Sequence, residues 1–305
     1  MSYPVPILVM AFNRPGPAAG LLKVLRQLKP LRLYLAFDGP RLERPDEQAL
    51  CEEVRNVFRD GIDWPCQVSW LLRTHNLGCR VAVSSAIDWF FQTEAEGVIL
   101  EDDIHPIPGF FSYCAELLER YRGDLRIGAI AANNHQFEAP PAGASYYFSI
   151  YSHCWGWATW RRAWRSYHQA EILWPEFRRQ RCLYQLGGRD FERRWLFLID
   201  QVCSGEVNTW DILWQLACWQ QGFLICLPAK EQVRNVGFDT DATHTLDEGS
   251  PLRVPQELVR PLVHPSIILP SRRFDRVTYD RLYRKRFTTE LKRKTLKLLR
   301  LLDWR

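Results

Sequence analysis

Short apolar runs alternate with segments of helical periodicity over the first 132 residues. The runs cover residues 6–12, 31–37, 67–72, 97–100 and 126–132, and each predicts a strand. Between them, apolar residues recur every three or four positions and predict helices, the first after residue 15 and the others near 46–58, 80–91 and 109–121. A strand–helix unit that recurs about every 30 residues predicts an α/β fold with a mostly parallel sheet.

The pattern changes after residue 138. We expect an aromatic strand at 146–151, a tryptophan-rich segment at 154–164, helices at 190–202 and 211–221, and a strand at 223–227. Trp160 and Trp164 are four residues apart, which predicts core packing on one face of a helix, with Trp155 and Trp157 in the loop before it. Residues 238–251, rich in Asp, Thr and Gly, are typical of a loop.

The composition excludes several classes of protein. The chain has 305 residues, 47% of them hydrophobic, with 40 Lys+Arg and 35 Asp+Glu, which excludes a disordered or coiled-coil chain. A net charge of +5 also argues against a nucleic-acid partner. The nine cysteines form no C-x-x-C pair and predict reduced, mostly buried thiols. The sequence shows neither a signal pattern nor an apolar run of the ~18–20 residues that a membrane span needs, so we expect a cytoplasmic protein.

Three consecutive carboxylates, Glu101, Asp102 and Asp103, follow the apolar run at 97–100. Ligands of parallel α/β sheets bind outside the carboxyl ends of the strands. Adjacent negative charges that are partly buried need a compensating cation, and Mg²⁺ or Mn²⁺ with a phosphorylated ligand suits carboxylate oxygens. The pattern therefore predicts a metal site, and the alternative is a solvated acidic turn or helix cap.

These carboxylates also carry a family resemblance. The segment GVILEDDIHPIPGFFSYCAELL resembles the metal-binding strand of GT-A-fold nucleotide-sugar glycosyltransferases, and particularly the inverting N-acetylglucosaminyltransferase I family. PILVMAFNRPGPAAGLLKVL and SHCWGWATWRRAW are similar to that family's first strand and aromatic Gly-Trp segment. The resemblance implies a GT-A-like α/β/α sandwich with a mixed, mostly parallel sheet. Residues 1–135 would form its nucleotide-sugar-binding half and residues 136–275 its acceptor-binding half.

The resemblance gives each acidic residue a role. Asp103 would bind Mn²⁺ or Mg²⁺, Asp102 would contact the ribose or the waters of the metal, and Glu101 would lie near the donor sugar. The ion would stabilise the charge that develops on the leaving diphosphate.

The loop after the first strand would contact the nucleotide. Asn13 and Arg14 match the family's Asn-Arg pair, and a guanidinium can bind phosphate or a base carbonyl through two hydrogen bonds. Asp38, at the end of the second strand, matches the family's aspartate that faces the nucleobase, and by this resemblance it would accept a hydrogen bond from a uracil N3–H. A surface arginine and an Asx turn at Asp38 are the alternatives.

The segment RTHNLGCRVAVSSAIDWF resembles the family's donor-binding turn and helix. His75 or Asn76 would contact the base, and Arg80 would reach the pyrophosphate from the start of the helix. An ordinary loop histidine is the alternative for His75.

An inverting transferase needs a base for the acceptor hydroxyl. Asp211 lies where the family has Trp-Asp-Asp-Trp, although Ile212 and Leu213 follow it here, and helix capping is the alternative. Glu101 and Asp241 are further candidates for the base. Trp155 and Trp157 would face the acceptor.

The loop NVGFDTDATHT contains His244, which could add a ligand to the metal or the diphosphate. Several GT-A enzymes use a C-terminal loop in this way, whereas the N-acetylglucosaminyltransferase I family does not. An ordinary loop histidine is the alternative.

The last segment, residues 276–305, predicts a basic amphipathic helix. The final 25 residues have 10 basic and 2 acidic side chains, which leaves 30 basic and 33 acidic in residues 1–280. Such a helix can lie on an anionic membrane surface, where each Lys or Arg contributes about 1 kcal/mol. Packing on the body or on another subunit is the alternative. The expected membrane contacts are Arg284, Lys285, Arg286, Lys292, Arg293, Lys294, Lys297 and Arg300.

Together with these features, the resemblance implies a metal-dependent, inverting glycosyltransferase of polysaccharide biosynthesis. It would transfer a hexosyl or N-acetylhexosaminyl group from a nucleotide-diphosphate donor, most simply a UDP-sugar, to a saccharide or lipid-linked saccharide at the inner face of the membrane. The alternatives are a sugar-phosphate nucleotidyltransferase, whose Gly-rich basic loop is poorly matched by Asn13-Arg14-Pro15-Gly16, and a non-catalytic membrane-associated nucleotide-sugar-binding protein.

Overall fold

A computed structural model of the protein describes residues 2–136, 140, 143–237 and 254–284. One large sheet dominates it, with eight strands: β1 Ile7–Ala11, β2 Arg32–Phe37, β3 Gln67–Leu72, β4 Glu96–Glu101, β6 Ile127–Ala131, β7 Tyr146–Ser149, β8 Trp157–Trp160 and β9 Leu224–Pro228. Their order is β3-β2-β1-β4-β8-β6-β9-β7. Neighbours from β3 to β4 are parallel, as are β6 and β9, whereas β8 and β7 are antiparallel to their partners.

Helices cover both faces of this sheet. They are α1 Pro15–Leu28, α2 Glu47–Gly61, α3 Gly78–Thr93, α4 Pro108–Tyr121, α5 Arg161–Trp164, α6 Ala170–Arg179, α7 Cys182–Cys203, α8 Asp211–Gln220 and α9 Arg272–Thr278. A 3₁₀ turn follows α5 and a π-helical turn follows α9. A separate antiparallel pair joins β5 Ile104–Pro106 to β10 Val233–Asn235. No helix in the described ranges has the length and hydrophobicity to cross a bilayer.

Alternate residues of the central strands belong to two separate cores. Val9 and Leu100 pack with α1, α2 and α4, whereas Leu8 and Ile99 pack with α3, α7 and α8. Successive strand residues point to opposite faces, so each central strand is apolar throughout. The predicted α/β sandwich with a mixed, mostly parallel sheet is confirmed.

The tryptophan-rich segment differs from the prediction. Trp157–Trp160 is not a loop and a helix but strand β8, which pairs with β4 and β6 in the middle of the sheet. Trp160 and Trp164 therefore do not share a helix face, and they pack in different cores. A strand that is buried on both faces has no polar alternation, so its periodicity does not distinguish it from a buried helix.

The segment 272–284 packs on the body, although the predicted basic helix begins at 276. Tyr283 lies with its ring centroid 5.4 Å from that of Tyr151 and 4.6 Å from that of Trp195. Arg284, an expected membrane contact, pairs instead with Asp280 at 3.0 Å and Asp190 at 3.8 Å. The other expected membrane contacts, from Lys285 to Arg300, lie outside the described residues.

Asp275 anchors α9 through a buried carboxyl. It is 7% exposed, and the Ser149 hydroxyl donates a hydrogen bond of 2.5 Å to Oδ1. Burial raises the pKa of Asp275 to about 7, well above the unfolded value of about 3.9. The folded state therefore binds more protons than the unfolded state between about pH 4 and pH 7, and this carboxyl lowers stability as the pH rises through that window.

Replacement of Asp275 by Asn should remove this dependence on pH, since the amide stays neutral. At pH 8 we expect the free energy of unfolding to exceed that of the wild type by on the order of 2 kcal/mol, with little difference at pH 4. Urea unfolding at both pH values measures it, and the exposed Asp60→Asn variant is the control. An Asp275→Asn variant with the pH dependence of the wild type would contradict this explanation.

Candidate active site

Most of the predicted donor-site residues lie at or after the ends of β1, β2, β3 and β4, at one edge of the sheet. Ala11 is in register with Phe37, and Met10 with Glu101, so these parallel strands end side by side. The Asp102 amide continues the ladder by donating to the Met10 carbonyl at 3.0 Å. The strand ends bring together residues that lie about 90 positions apart in the sequence.

Arg14 bridges two of the three carboxylates. Its Nη1 donates to Asp103 Oδ2 at 2.9 Å, and its Nη2 pairs with Asp102 Oδ1. Asp102 is 2% exposed, and its buried Oδ2 accepts no hydrogen bond of normal geometry. Burial raises the pKa of Asp102 to about 6, although Arg14 acts in the opposite direction. The buried negative charge is therefore only partly compensated by protein groups.

The pKa of Glu101 depends on the neighbouring carboxylates. Burial, then Asp103 and Asp102, raise the pKa of Glu101 to about 8, and Asp211 adds to this effect. Burial, and then the charge of Asp211, also raise the pKa of the Tyr283 hydroxyl. The charge of Asp211 therefore acts on the carboxyl of Glu101 at the acidic edge of the sheet.

Asp211 begins α8 but does not cap it. The N-cap position is Trp210, without a side-chain cap, and the Thr209 hydroxyl donates to Asp211 Oδ1. The structure therefore does not show Asp211 as the N-cap of α8.

Asp38 connects two loops at the same edge. Its Oδ1 accepts hydrogen bonds from the amides of Gly39 at 3.0 Å and Leu77 at 3.1 Å, and its Oδ2 accepts one from Asn76 Nδ2 at 2.9 Å. Gly39 is required here, because a Cβ would lie 2.3 Å from the backbone nitrogen of His75. This geometry favours the alternative for Asp38, in which its carboxylate holds the two loops in place by hydrogen bonds. The His75 side chain is exposed.

Glu47 is a site-forming residue that the sequence did not reveal. It is 1% exposed and accepts hydrogen bonds from Arg41 Nε at 2.9 Å and from Asn13 Nδ2 at 3.2 Å. The hydrogen bonds from the Arg41 side chain lower the pKa of the Glu47 carboxyl. Glu47 thus positions Asn13, and a glutamate in the first turn of an amphipathic helix gives no signal of that function.

Arg80 does not reach the acidic edge. Its guanidinium pairs with Glu171 and donates to the Val202 carbonyl at 3.4 Å. Arg80 lies in the first turn of α3, which begins at Gly78. Its two partners belong to α6 and α7, so its side chain lies on the flank of α3 that faces those helices. The predicted pyrophosphate contact is therefore not supported by this geometry.

The two predicted acceptor tryptophans are in different environments. Trp157 is 2% exposed in β8, with its ring centroid 5.6 Å from those of Trp210 and Trp214, so it is a core residue. Trp155 is half-buried in the loop before β8, 6.4 Å from the His135 ring. The His153 ring lies 4.5 Å from His135, and burial lowers its pKa. This loop pair was not predicted, and a lone histidine in a loop gives little signal.

Gly237 borders the acidic residues after β10. The Val236 amide donates to the Asp103 carbonyl at 2.9 Å. A Cβ on Gly237 would lie 2.2 Å from Asp103 Oδ2 and 3.1 Å from Arg14 Nη1. Glycine is therefore required at this position, because the chain packs directly against Asp103 and Arg14. His244 and Asp241 lie outside the described residues.

The acidic residues are suited to a divalent ion whose remaining ligands do not come from the protein. Within the described ranges, no three His, Cys, Asp or Glu side chains are grouped as a protein metal cage. Asp102 and Asp103 supply hard oxygen atoms, and Asp102 Oδ2 is unused. Mg²⁺ and Mn²⁺ suit such ligands, and Mg²⁺ commonly binds through one or two carboxylates together with water and phosphate.

Comparisons with known proteins do not identify a family. No family model and no curated protein matches the chain. The chain is similar to crystal structures of HddC from Yersinia pseudotuberculosis (10% identity, 52% of this chain and 77% of that one, TM-score 0.32) and of mouse xyloside xylosyltransferase 1, apo form (12%, 72% and 83%, 0.37). A third, UDP-glucose pyrophosphorylase complexed with UDP-glucose, aligns at 11% identity over 49% of this chain and 63% of that one, with a TM-score of 0.28. TM-scores this low do not establish a relationship.

Proposed function

We propose that this protein is a metal-dependent, inverting glycosyltransferase that uses a nucleotide-diphosphate sugar. The observation that carries the proposal is the convergence of Arg14, Asp102 and Asp103 at the carboxyl edge of the sheet, with one buried carboxylate oxygen unpartnered. A cation-binding acidic pair beside an arginine suits a diphosphate. The α/β architecture is consistent with the GT-A-like fold that the sequence resemblance implies.

In this proposal Asp103 and Asp102 would hold Mn²⁺ or Mg²⁺, and Arg14 would bind phosphate oxygens. The bound ion would supply electrostatic stabilisation of the departing diphosphate. Asn13, held by Glu47, would lie beside the nucleotide, and Asn76 and the exposed His75 would contact the base. Asp38 would act by holding the loop that carries Asn76 and His75.

Asp211 would act as the base. It would accept the proton of the acceptor hydroxyl while that oxygen bonds to the anomeric carbon and the bond from that carbon to the diphosphate oxygen breaks. Attack from the face opposite the leaving group inverts the configuration. Trp155, with the adjacent His135 and His153, would line the acceptor side. UDP-GlcNAc is the donor that the resemblance suggests, and His244 remains a candidate ligand.

A membrane location is part of the same proposal. Residues after Arg284 carry the basic amphipathic sequence, whereas residues 272–284 pack on the body through Tyr283, Asp275 and Arg284. The protein would therefore be cytoplasmic and peripheral at the inner face of the membrane, close to a lipid-linked acceptor.

Truncation after Arg284 should abolish sedimentation with anionic liposomes, because it removes eight of the basic side chains of the last 25 residues. Donor binding should persist, since the segment that packs on the body is retained. Co-sedimentation and thermal stability with UDP and Mn²⁺ measure the two properties. A truncated protein that still binds the liposomes would refute the location of the membrane contact.

A panel of nucleotide sugars with and without Mn²⁺ tests the function. We expect a rise in melting temperature with one UDP-sugar that requires the metal, and release of nucleoside diphosphate when the acceptor is present. A nucleotidyltransferase would instead consume a sugar 1-phosphate and a nucleoside triphosphate and release pyrophosphate. A binding protein would give the thermal shift without any product.

A further inference from the structure

Arg14 occupies the carboxylates that the proposed function assigns to the ion. One guanidinium bridges both side chains, with Nη1 at 2.9 Å from Asp103 Oδ2 and Nη2 paired with Asp102 Oδ1. The exposed fraction is 31% for the side chain of Arg14 and 2% for that of Asp102. The Arg14 guanidinium therefore already binds the oxygen atoms that a metal ion would coordinate.

We propose that Arg14 makes the site selective for a metal–nucleoside diphosphate complex over the free metal ion. This inference rests on the proposed function. A lone divalent ion that approaches Asp103 Oδ2 meets a positive guanidinium 2.9 Å from that atom, and like charges repel. Displacement of the guanidinium would break two charge-assisted hydrogen bonds, one of them to a buried carboxylate. The free ion should consequently bind weakly.

A nucleoside diphosphate removes both obstacles. Its phosphate oxygens give the guanidinium a new bidentate partner, and they also provide ligands to the ion. Metal and nucleotide should therefore each strengthen the binding of the other.

A titration of the full chain with Mn²⁺ tests this inference, with UDP as the probe. The electron paramagnetic resonance signal of the free ion measures how much Mn²⁺ is bound. The wild type should bind Mn²⁺ at least about 10-fold more tightly with saturating UDP than without it. Arg14→Gln should bind Mn²⁺ alone about 10-fold more tightly than the wild type and gain less from UDP. The matched control is Arg122→Gln, since Arg122 binds Glu96 through two hydrogen bonds, of 2.7 Å and 2.9 Å, at the opposite end of β4.

The outcomes separate this inference from the proposed function. If Arg14→Gln binds Mn²⁺ alone no more tightly than the wild type, while both gain from UDP, the selectivity assigned to Arg14 is wrong and the proposed function stands. If neither protein binds Mn²⁺ with or without UDP, both are overturned. Arg14→Met decides the matter if Arg14→Gln does not fold: the long apolar side chain removes the positive charge and both hydrogen bonds, so Mn²⁺ alone should bind more tightly than to the wild type, and unchanged affinity would overturn the inference.

Discussion

Asp103→Asn should lower metal-dependent turnover of the nucleotide sugar by about 10²–10³-fold. The amide loses the negative charge that holds the ion, and with it the stabilisation of the leaving diphosphate. The half-buried side chain keeps its shape, so the melting temperature without ligand should change little. Release of UDP at saturating Mn²⁺ measures the turnover.

The Asp103→Asn variant also loses an ion pair with Arg14, so its control must lose a similar pair elsewhere. Asp124→Asn serves, because Asp124 accepts hydrogen bonds of 3.0 Å and 2.7 Å from Arg126 far from the acidic edge. We expect full turnover from this control. Turnover by Asp103→Asn within a few-fold of the wild type would rule out Asp103 as the principal ligand.

Asp211→Asn should reduce transfer to the acceptor by about 10²–10⁴-fold while donor binding is preserved. An amide cannot take the proton of the attacking hydroxyl, but its oxygen can still accept the hydrogen bond from Thr209. The measurement compares kcat for the acceptor that the wild type glycosylates with the thermal shift given by UDP and Mn²⁺. Loss of kcat without loss of the shift separates a base from a binding residue.

Glu101→Gln is the informative comparison, since Glu101 is the neighbouring carboxyl and another candidate for the base. If Asp211 is the base, Glu101→Gln should retain much more of the transfer rate than Asp211→Asn. The opposite order would assign the proton transfer to Glu101.

Local pattern predicted most of the sheet. Gln67–Leu72 was predicted at its observed bounds, and α8 begins at the predicted Asp211. Strand β8 was missed because it is buried on both faces, and the pairing of β5 with β10 was missed because it joins segments about 130 residues apart. Pairings over such separations depend on tertiary packing, which local periodicity does not encode.

Part of the site was predictable from the positions of residues relative to the predicted strands. The carboxyl edge of a parallel sheet brings Arg14 and Asp103 together whenever their strands are adjacent, so their positions in the sequence were informative. Individual side-chain partners were not: Arg80 binds Glu171, and Glu47 is buried against Asn13. Neither contact can be predicted from spacing or composition, since a charged residue on a helix is expected to be exposed unless its neighbours are known.

The most direct test is the anomalous scattering of Mn²⁺ in crystals of the full chain grown with UDP and Mn²⁺. The proposed function predicts one peak in coordination contact with Asp103, with the diphosphate bridging the ion and Arg14. A peak at another place, or a nucleotide bound away from the carboxyl edge of β1 and β4, would contradict it.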